Sequence, residues 1–332
     1  MRHTTARKLR AGIEIELLAP AGCSRLELAE LIARRSDTSV VAGWHLDSET
    51  SAHQNHRFFH HMTPAFDVTT SAGTPIARLV DDITVQADLD HSAHSAPTWR
   101  RVVGDDPRIL RMLTSSLAPI GAGMENVAVL AEGFGLVAEA KDEAIRLADS
   151  SGASVALVAG MPGERERVCE LISPPLRSGL GEWVESTVGA ASELGFTVPR
   201  EAAIHLHYDA DLFRSKANVE RLLWAFGDSL SEIRASFGTN EHCRRIGPLP
   251  SGLVSAIEDL PENAAWADVA AALRAVDGIT KYADVNITQL IAEQPTLPTV
   301  EFRFLPGSAS VGDILDLVAR SDEIVAHLTA DP

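Results

Sequence analysis

The chain has 332 residues, with 46 Asp and Glu against 29 Lys and Arg, and a formal net charge of −17 at pH 7. Hydrophobic residues make up 45% and charged residues 23%, the balance of a globular protein large enough for a substantial core. So acidic a chain is not built to neutralise nucleic-acid phosphates, and no stretch approaches the ~20 apolar residues of a membrane span. Three cysteines (Cys23, Cys169, Cys243) are an odd number without metal-type spacing, so reduced thiols are expected. Glu14 and Glu16 interrupt the apolar run that a signal peptide would place after the basic first ten residues, so a cytoplasmic protein is expected.

In chain order, Gly12-Ile13-Glu14-Ile15-Glu16-Leu17 alternates with period two and predicts a strand with both acids on one face. Ser24-Arg25-Leu26-Glu27 is a capping box that opens a helix to about Arg35. Residues 37–75 carry His45, His53, His56, His60 and His61 with few regular signals, and read as a long loop or irregular insertion. Residues 76–90 read as strand and 107–117 as helix. Residues 137–149 also read as helix, with Glu139, Lys141, Asp142, Glu143 and Arg146 on the wet side. Ala153 to Ala159 and Arg167 to Ile172 are strand-like, the second ended by Ser173-Pro174-Pro175-Leu176.

A helix is expected from about Gly181 to Leu194. Ala202 to Asp209 alternates again, with His205, His207 and Asp209 on one face. Helices are expected over 216–236, 263–276, 283–292 and 310–328. The last two flank a final alternating segment, Val300-Glu301-Phe302-Arg303-Phe304. No repeat or linker stands out, so a single domain over 8–330 is expected. One-sided strands without regular strand–helix alternation point to α+β with an antiparallel sheet.

Four of these segments share a design, a polar face of Glu14/Glu16, Glu170, His205/His207 or Glu301/Arg303 against an apolar one. Singly, each is a common solvated strand face. Gathered on one sheet face, the four carboxylates carry −4, and unpaired buried charges cost several kcal/mol each, so they need cations. Two divalent ions would supply them, and carboxylates with an imidazole suit Mg²⁺ or Mn²⁺. Arginine suits a carboxylate or phosphate.

Rival motifs are weaker. His53, His56, His60 and His61, with His91 and His94, could ligate zinc but lack a supporting Cys or Glu, and read better as a polar loop. Gly121-Ala122-Gly123 and Gly133-Phe134-Gly135 match no phosphate-loop or dinucleotide fingerprint. Ser173 lacks the glycines of a nucleophile elbow. Asp81-Asp82-Ile83-Thr84 offers another acid for the site or a turn.

The ordered series Gly12-Ile13-Glu14-Ile15-Glu16, Glu170-Leu171-Ile172-Ser173-Pro174-Pro175-Leu176, Ile204-His205-Leu206-His207 and Val300-Glu301-Phe302-Arg303-Phe304 resembles the amidoligases. These are carboxylate–amine ligases of the glutamine synthetase and glutamate–cysteine ligase superfamily. The resemblance spans about residues 10–310 in islands and leaves 37–165 as an apparent insertion; the family's Trp and Asp-x-Ser segment has only displaced counterparts at Asp81 to Thr84 and Trp99.

It implies a curved antiparallel half-barrel, helices on one face and the active site on the other, with two or three Mg²⁺ or Mn²⁺ ions bridging sheet and ATP. By this resemblance Glu14, Glu16, Glu170, His205 and Glu301 are metal ligands, and His207 faces the nucleotide or supports the ligands from behind. Arg303 binds phosphate or the acyl substrate, Arg244 and Arg245 clamp phosphate, and Asn286 faces the site.

The implied reaction activates a carboxylate as an acyl phosphate and transfers the acyl group to an amine, the partners being small-molecule or peptide acids and amines. Two alternatives stand beside it. One is a non-catalytic nucleotide- or amino-acid-binding regulator on the same fold. The other is a metal-dependent hydrolase using the histidine-rich loop.

Overall fold

The structure, a computed structural model, describes residues 9–48, 59–121, 125–142, 144–227, 230–243 and 245–330. The chain divides into two compact units. Unit one is Met1–Ile15, Ser173–Gly189 and Arg200–Pro332; unit two is Glu16–Ile172 and Ala190–Pro199.

The predicted first strand is β1 (Ala11–Leu18), which starts in unit one and ends in unit two. Unit two continues with α1 (Arg25–Ser36), opened by the expected capping box: Leu26 N–H donates to Ser24 Oγ at 3.1 Å and Ser24 N–H to Glu27 Oε2 at 3.0 Å. There follow β2 (Ser39–Ser48), β3 (His60–Thr69), β4 (Pro75–Val80), β5 (Arg100–Gly104), α2 (Pro107–Thr114) and α3 (Glu125–Gly133), then β6 (Val137–Lys141), β7 (Ala144–Ala148), β8 (Ser154–Gly160) and β9 (Val168–Ile172). Their order is β9-β4-β3-β5-β8-β7-β6, with β2 also paired to β3. Every pairing is antiparallel and the order does not close on itself. Met62, Val102, Val158 and Leu147 bury one face of this sheet with Leu110 and Leu113 of α2 and Val127 of α3.

Three expectations for this unit are corrected. Within 37–75, where a loop is expected, β2 and β3 pair over ten positions, from Ser39↔Thr69 to Ser48↔His60. The alternation that supports β3 puts Met62, Pro64, Phe66 and Val68 inward, which the histidine cluster obscures. His53 and His56 lie outside the described residues. The strand expected over 76–90 ends at Val80, and 81–90 is turns. Residues 137–149 form a β6–β7 hairpin, not a helix. Its turn holds Asp142 at φ 52°, the left-handed region that Asp tolerates better than most side chains.

The chain re-enters unit one at Ser173. α4 (Leu180–Glu193) again belongs to both units. Unit one then holds β10 (Ala203–Asp209), α5 (Lys216–Gly227), α6 (Leu230–Phe237), α7 (Gly252–Glu258), α8 (Trp266–Arg274), β11 (Val285–Asn286), α9 (Thr288–Ile291), β12 (Thr299–Pro306) and α10 (Val311–Leu328). Its strands run β11-β12-β10-β1, all antiparallel. Helix is described over 216–227 and 230–237, within the span where one long helix is expected, and β11 with the short α9 replaces the helix expected over 283–292.

The apolar face of this unit is aromatic. Phe302 and Phe304 of β12 pack on Phe226 of α5, with ring centroids 5.1 and 5.4 Å away, and Phe304 meets Phe237 of α6 edge-on at 5.1 Å. Offset and edge contacts of this kind add to simple burial. Tyr208 joins the cluster and donates its hydroxyl to Asp322 of α10 at 2.9 Å.

The double proline has a structural purpose. Prolines lack a backbone N–H to pair with β1. Ser173 N–H donates to Ile13 O (2.9 Å), Ile13 N–H donates to Ser173 Oγ (3.0 Å), and the backbone pairing resumes only at Leu176 with Ala11. Ser173 is thus a strut that holds β1. Among the described residues, no helix is long and apolar enough to cross a membrane.

Candidate metal centre

The site in unit one follows from cross-strand register. Gly12 faces His207, which faces Glu301, which faces Asn286; one row over, Glu14 faces His205. Directly opposed residues project from the same side of a sheet, so β1, β10, β12 and β11 bring these groups to one face. The register shifts beside His205, where one β10 residue spans the two β12 residues Arg303 and Phe304. Such a bulge re-aims side chains and recurs next to functional sites.

Gly12 leaves the position beside His207 without a side chain, so the imidazole leans diagonally to Glu14, its Nε2 3.0 Å from Glu14 Oε1. His207 Nε2 lies 3.7 Å from Glu301 Oε1, and Nδ1 is 3.1 Å from Thr299 Oγ1. His205 Nδ1 lies 3.1 Å from Glu14 Oε2 and 3.4 Å from Glu301 Oε1. Arg303 Nη1 donates to Glu301 Oε1. Asn286 Nδ2 donates to Glu301 Oε2 at 2.7 Å. Thr288 fixes the direction of that amide, donating its N–H and hydroxyl to Asn286 Oδ1 at 3.0 and 2.6 Å.

Burial alone raises the Glu14 pKa, but the charge of His207 and hydrogen bonds from both imidazoles outweigh it, and the carboxyl lies well below its ordinary range. Burial likewise raises Glu301, and the charge of Arg303, then of His207 and His205, brings it below its usual value. Burial lowers His207, but Glu14 and Glu301 raise it to about 9. Burial and Arg303 lower His205. At neutral pH these unit-one side chains therefore comprise two carboxylates, one imidazolium, one guanidinium and one neutral imidazole.

One ligand atom each from Glu14, His207 and Glu301 all lie within 4.8 Å of one another, close enough for a single ion. Two carboxylates and an imidazole are a donor set for Mg²⁺ or Mn²⁺. Of the residues expected to meet here, unit one brings together Glu14, His205, His207, Glu301, Arg303 and Asn286. Glu16 is buried in the second half of β1, and Glu170 stands on β9 opposite Val80; both belong to unit two. Arg245 is half-buried between α6 and α7, and Arg244 lies outside the described residues.

Two supporting residues carry no motif in the sequence. Thr288 holds the Asn286 amide from two residues on, and Thr299 reaches His207 across the strand register. Asp284, buried beside β11, is held bidentately by Arg234 of α6 at 2.7 and 2.6 Å, and its carbonyl accepts from Arg303 N–H at 2.8 Å.

The chain matches the family described as "Putative amidoligase enzyme" over residues 7–319. No curated protein and no solved structure shows significant similarity to it. Nearly its whole length falls within that match, and the chain belongs to the amidoligase family.

Proposed function

We propose that the protein is an ATP-dependent carboxylate–amine ligase that makes an amide through an acyl phosphate. The observation that carries this reading is the convergence of Glu14, His207 and Glu301 on one point of a face that also holds Arg303 and Asn286. Glu14, Glu301 and an imidazole would hold a divalent ion, and the resemblance adds Glu16, Glu170 and His205 to the ligand set.

A bound Mg²⁺ or Mn²⁺ would supply positive charge to phosphate oxygens, and ATP the phosphoryl group that makes a carboxylate a good acyl donor. The rest of the work falls to this chain's side chains. Arg303, held by Glu301, presents a fixed guanidinium where phosphate or carboxylate charge can be matched. Asn286 fixes Glu301 Oε2, while Oε1, which accepts from Arg303, is the oxygen turned toward the two imidazoles. No covalent nucleophile is needed, which agrees with Ser173 serving the backbone.

The test is phosphate release from ATP by purified protein with Mg²⁺ and panels of small carboxylic acids, using hydroxylamine as a general amine that traps acyl phosphates as hydroxamates. The reading predicts hydroxamate formation that depends on ATP, metal and acid together and is abolished in Glu301→Gln. Equal hydroxamate from wild type and Glu301→Gln, or none with any acid, overturns it.

A further inference from the structure

Unit two carries a cavity of about 260 Å³ that the ligase reading does not use. It is lined by Thr63, Asp81, Arg101 and Arg165, with His61 and His91 at its wall. The strands explain why polar groups gather there. Met62 and Val102 face each other across β3 and β5 and turn into the apolar core. By alternation Thr63 and Arg101 occupy the reverse face.

Arg165, buried, reaches in from the turn before β9. It holds both oxygens of buried Asp81 and donates to the carbonyls of Val85, at 2.5 Å, and Asp82. Asp81 is thereby committed to one guanidinium, and Arg101 supplies a second. The cavity has two guanidinium groups for one carboxylate, an excess of positive charge in a chain whose net charge is −17.

Two donors in it are unmet. Among the described residues, Arg101 Nε and Thr63 Oγ1 are buried and have no hydrogen-bond partner, and Thr63 is only 2% exposed. Buried polar atoms without partners are rare in native proteins, and each calls for an explanation, among them a water or a bound ion. Burial, then the like charge of Arg165, lowers the Arg101 pKa, with Asp81 offsetting part of the effect. An arriving anion would relieve both. The volume exceeds that of a single water.

We propose that this cavity is an anion-binding site that takes the carboxylate or phosphate group of a small-molecule ligand, with Arg101 and Thr63 as donors and the Asp81-held Arg165 as fixed charge behind them. The site stands on residues of unit two alone, so it holds or fails independently of the ligase reading.

The test is isothermal titration calorimetry of the intact chain, without ATP, using inorganic phosphate in one arm and glutarate in the other. The wild type binds at least one, and the preferred arm identifies the group. Arg101→Leu weakens that binding about 10- to 100-fold, the range expected for a lost hydrogen bond to a charged group, and the near-isosteric Thr63→Val weakens it several-fold. Arg108→Ala, at an exposed arginine of the same unit, leaves it unchanged. Should Arg101→Leu not fold, Arg101→Lys and Thr63→Val carry the comparison. Absence of binding by wild type in both arms, or wild-type affinity in Arg101→Leu and Thr63→Val, overturns the proposal.

Discussion

The polar face of unit one and the cavity of unit two are made by the same device and differ in charge ratio. Each is the reverse side of antiparallel strands whose alternate residues fill an apolar core: Phe302 and Phe304 in the first, Met62 and Val102 in the second. In unit one, Glu14 and Glu301 are balanced by Arg303 and a protonated His207. In unit two, Arg101 and Arg165 outnumber Asp81. The first arrangement can exchange a proton for a metal cation, whereas the second can only gain from an anion. Strand alternation makes the polar surface, and one charge more or less decides what it receives.

The largest expected effect breaks the unit-one side of the comparison. Glu301→Ala removes a carboxylate touched by Arg303, Asn286 and His205, and should lower ATP-dependent hydroxamate formation about a thousand-fold, as for loss of a main electrostatic group in an active site. A mutant that kept a tenth of the activity would show that this face is not the catalytic one.

Next comes the corresponding break in unit two. Asp81→Asn leaves Arg165 buried without its counter-charge and should destabilise the protein by about 3–5 kcal/mol in urea unfolding. A loss below about 1 kcal/mol would mean that the cavity's charge is not held as described.

Ser173→Ala tests the strut that holds β1 in unit one. It leaves Ile13 N–H without its acceptor and should cost about 1–3 kcal/mol, with faster hydrogen exchange at that amide. The smallest effect is expected from Thr288→Val, which removes the hydroxyl bond to Asn286 Oδ1 and leaves the backbone N–H to hold the amide. About 1 kcal/mol of stability should be lost, read from the same unfolding curves, with the fold intact.

What could be read from the sequence was the part governed by short-range pattern. β1, β10 and β12 alternate cleanly, and the Ser24–Glu27 capping box marks its helix, because one face of each element meets a core. The β6–β7 hairpin was hidden because Glu139, Asp142 and Arg146 also fit one helical face. The histidines around β2 and β3 masked the inward Met62, Phe66 and Val68.

Of the side chains gathered on the unit-one face, Glu14, His205, His207, Glu301 and Arg303 were legible from alternation, and Asn286 through the family resemblance. The closeness of His207 to both acids was not legible, because it depends on the empty position at Gly12 and on which strands are neighbours. For the same reason Arg101, Thr63 and Arg165 form no motif: they come from two strands and a turn, and meet only after folding.

The central claim, that the face shared by Glu14, His207 and Glu301 is a divalent metal centre, is tested most directly by a crystal structure with Mn²⁺ and a non-hydrolysable ATP analogue, using the anomalous signal of manganese. The account predicts an anomalous peak coordinated by Glu14, Glu301 and an imidazole of β10, with phosphate oxygens on its open side. A well-ordered analogue with no manganese at these residues would contradict it.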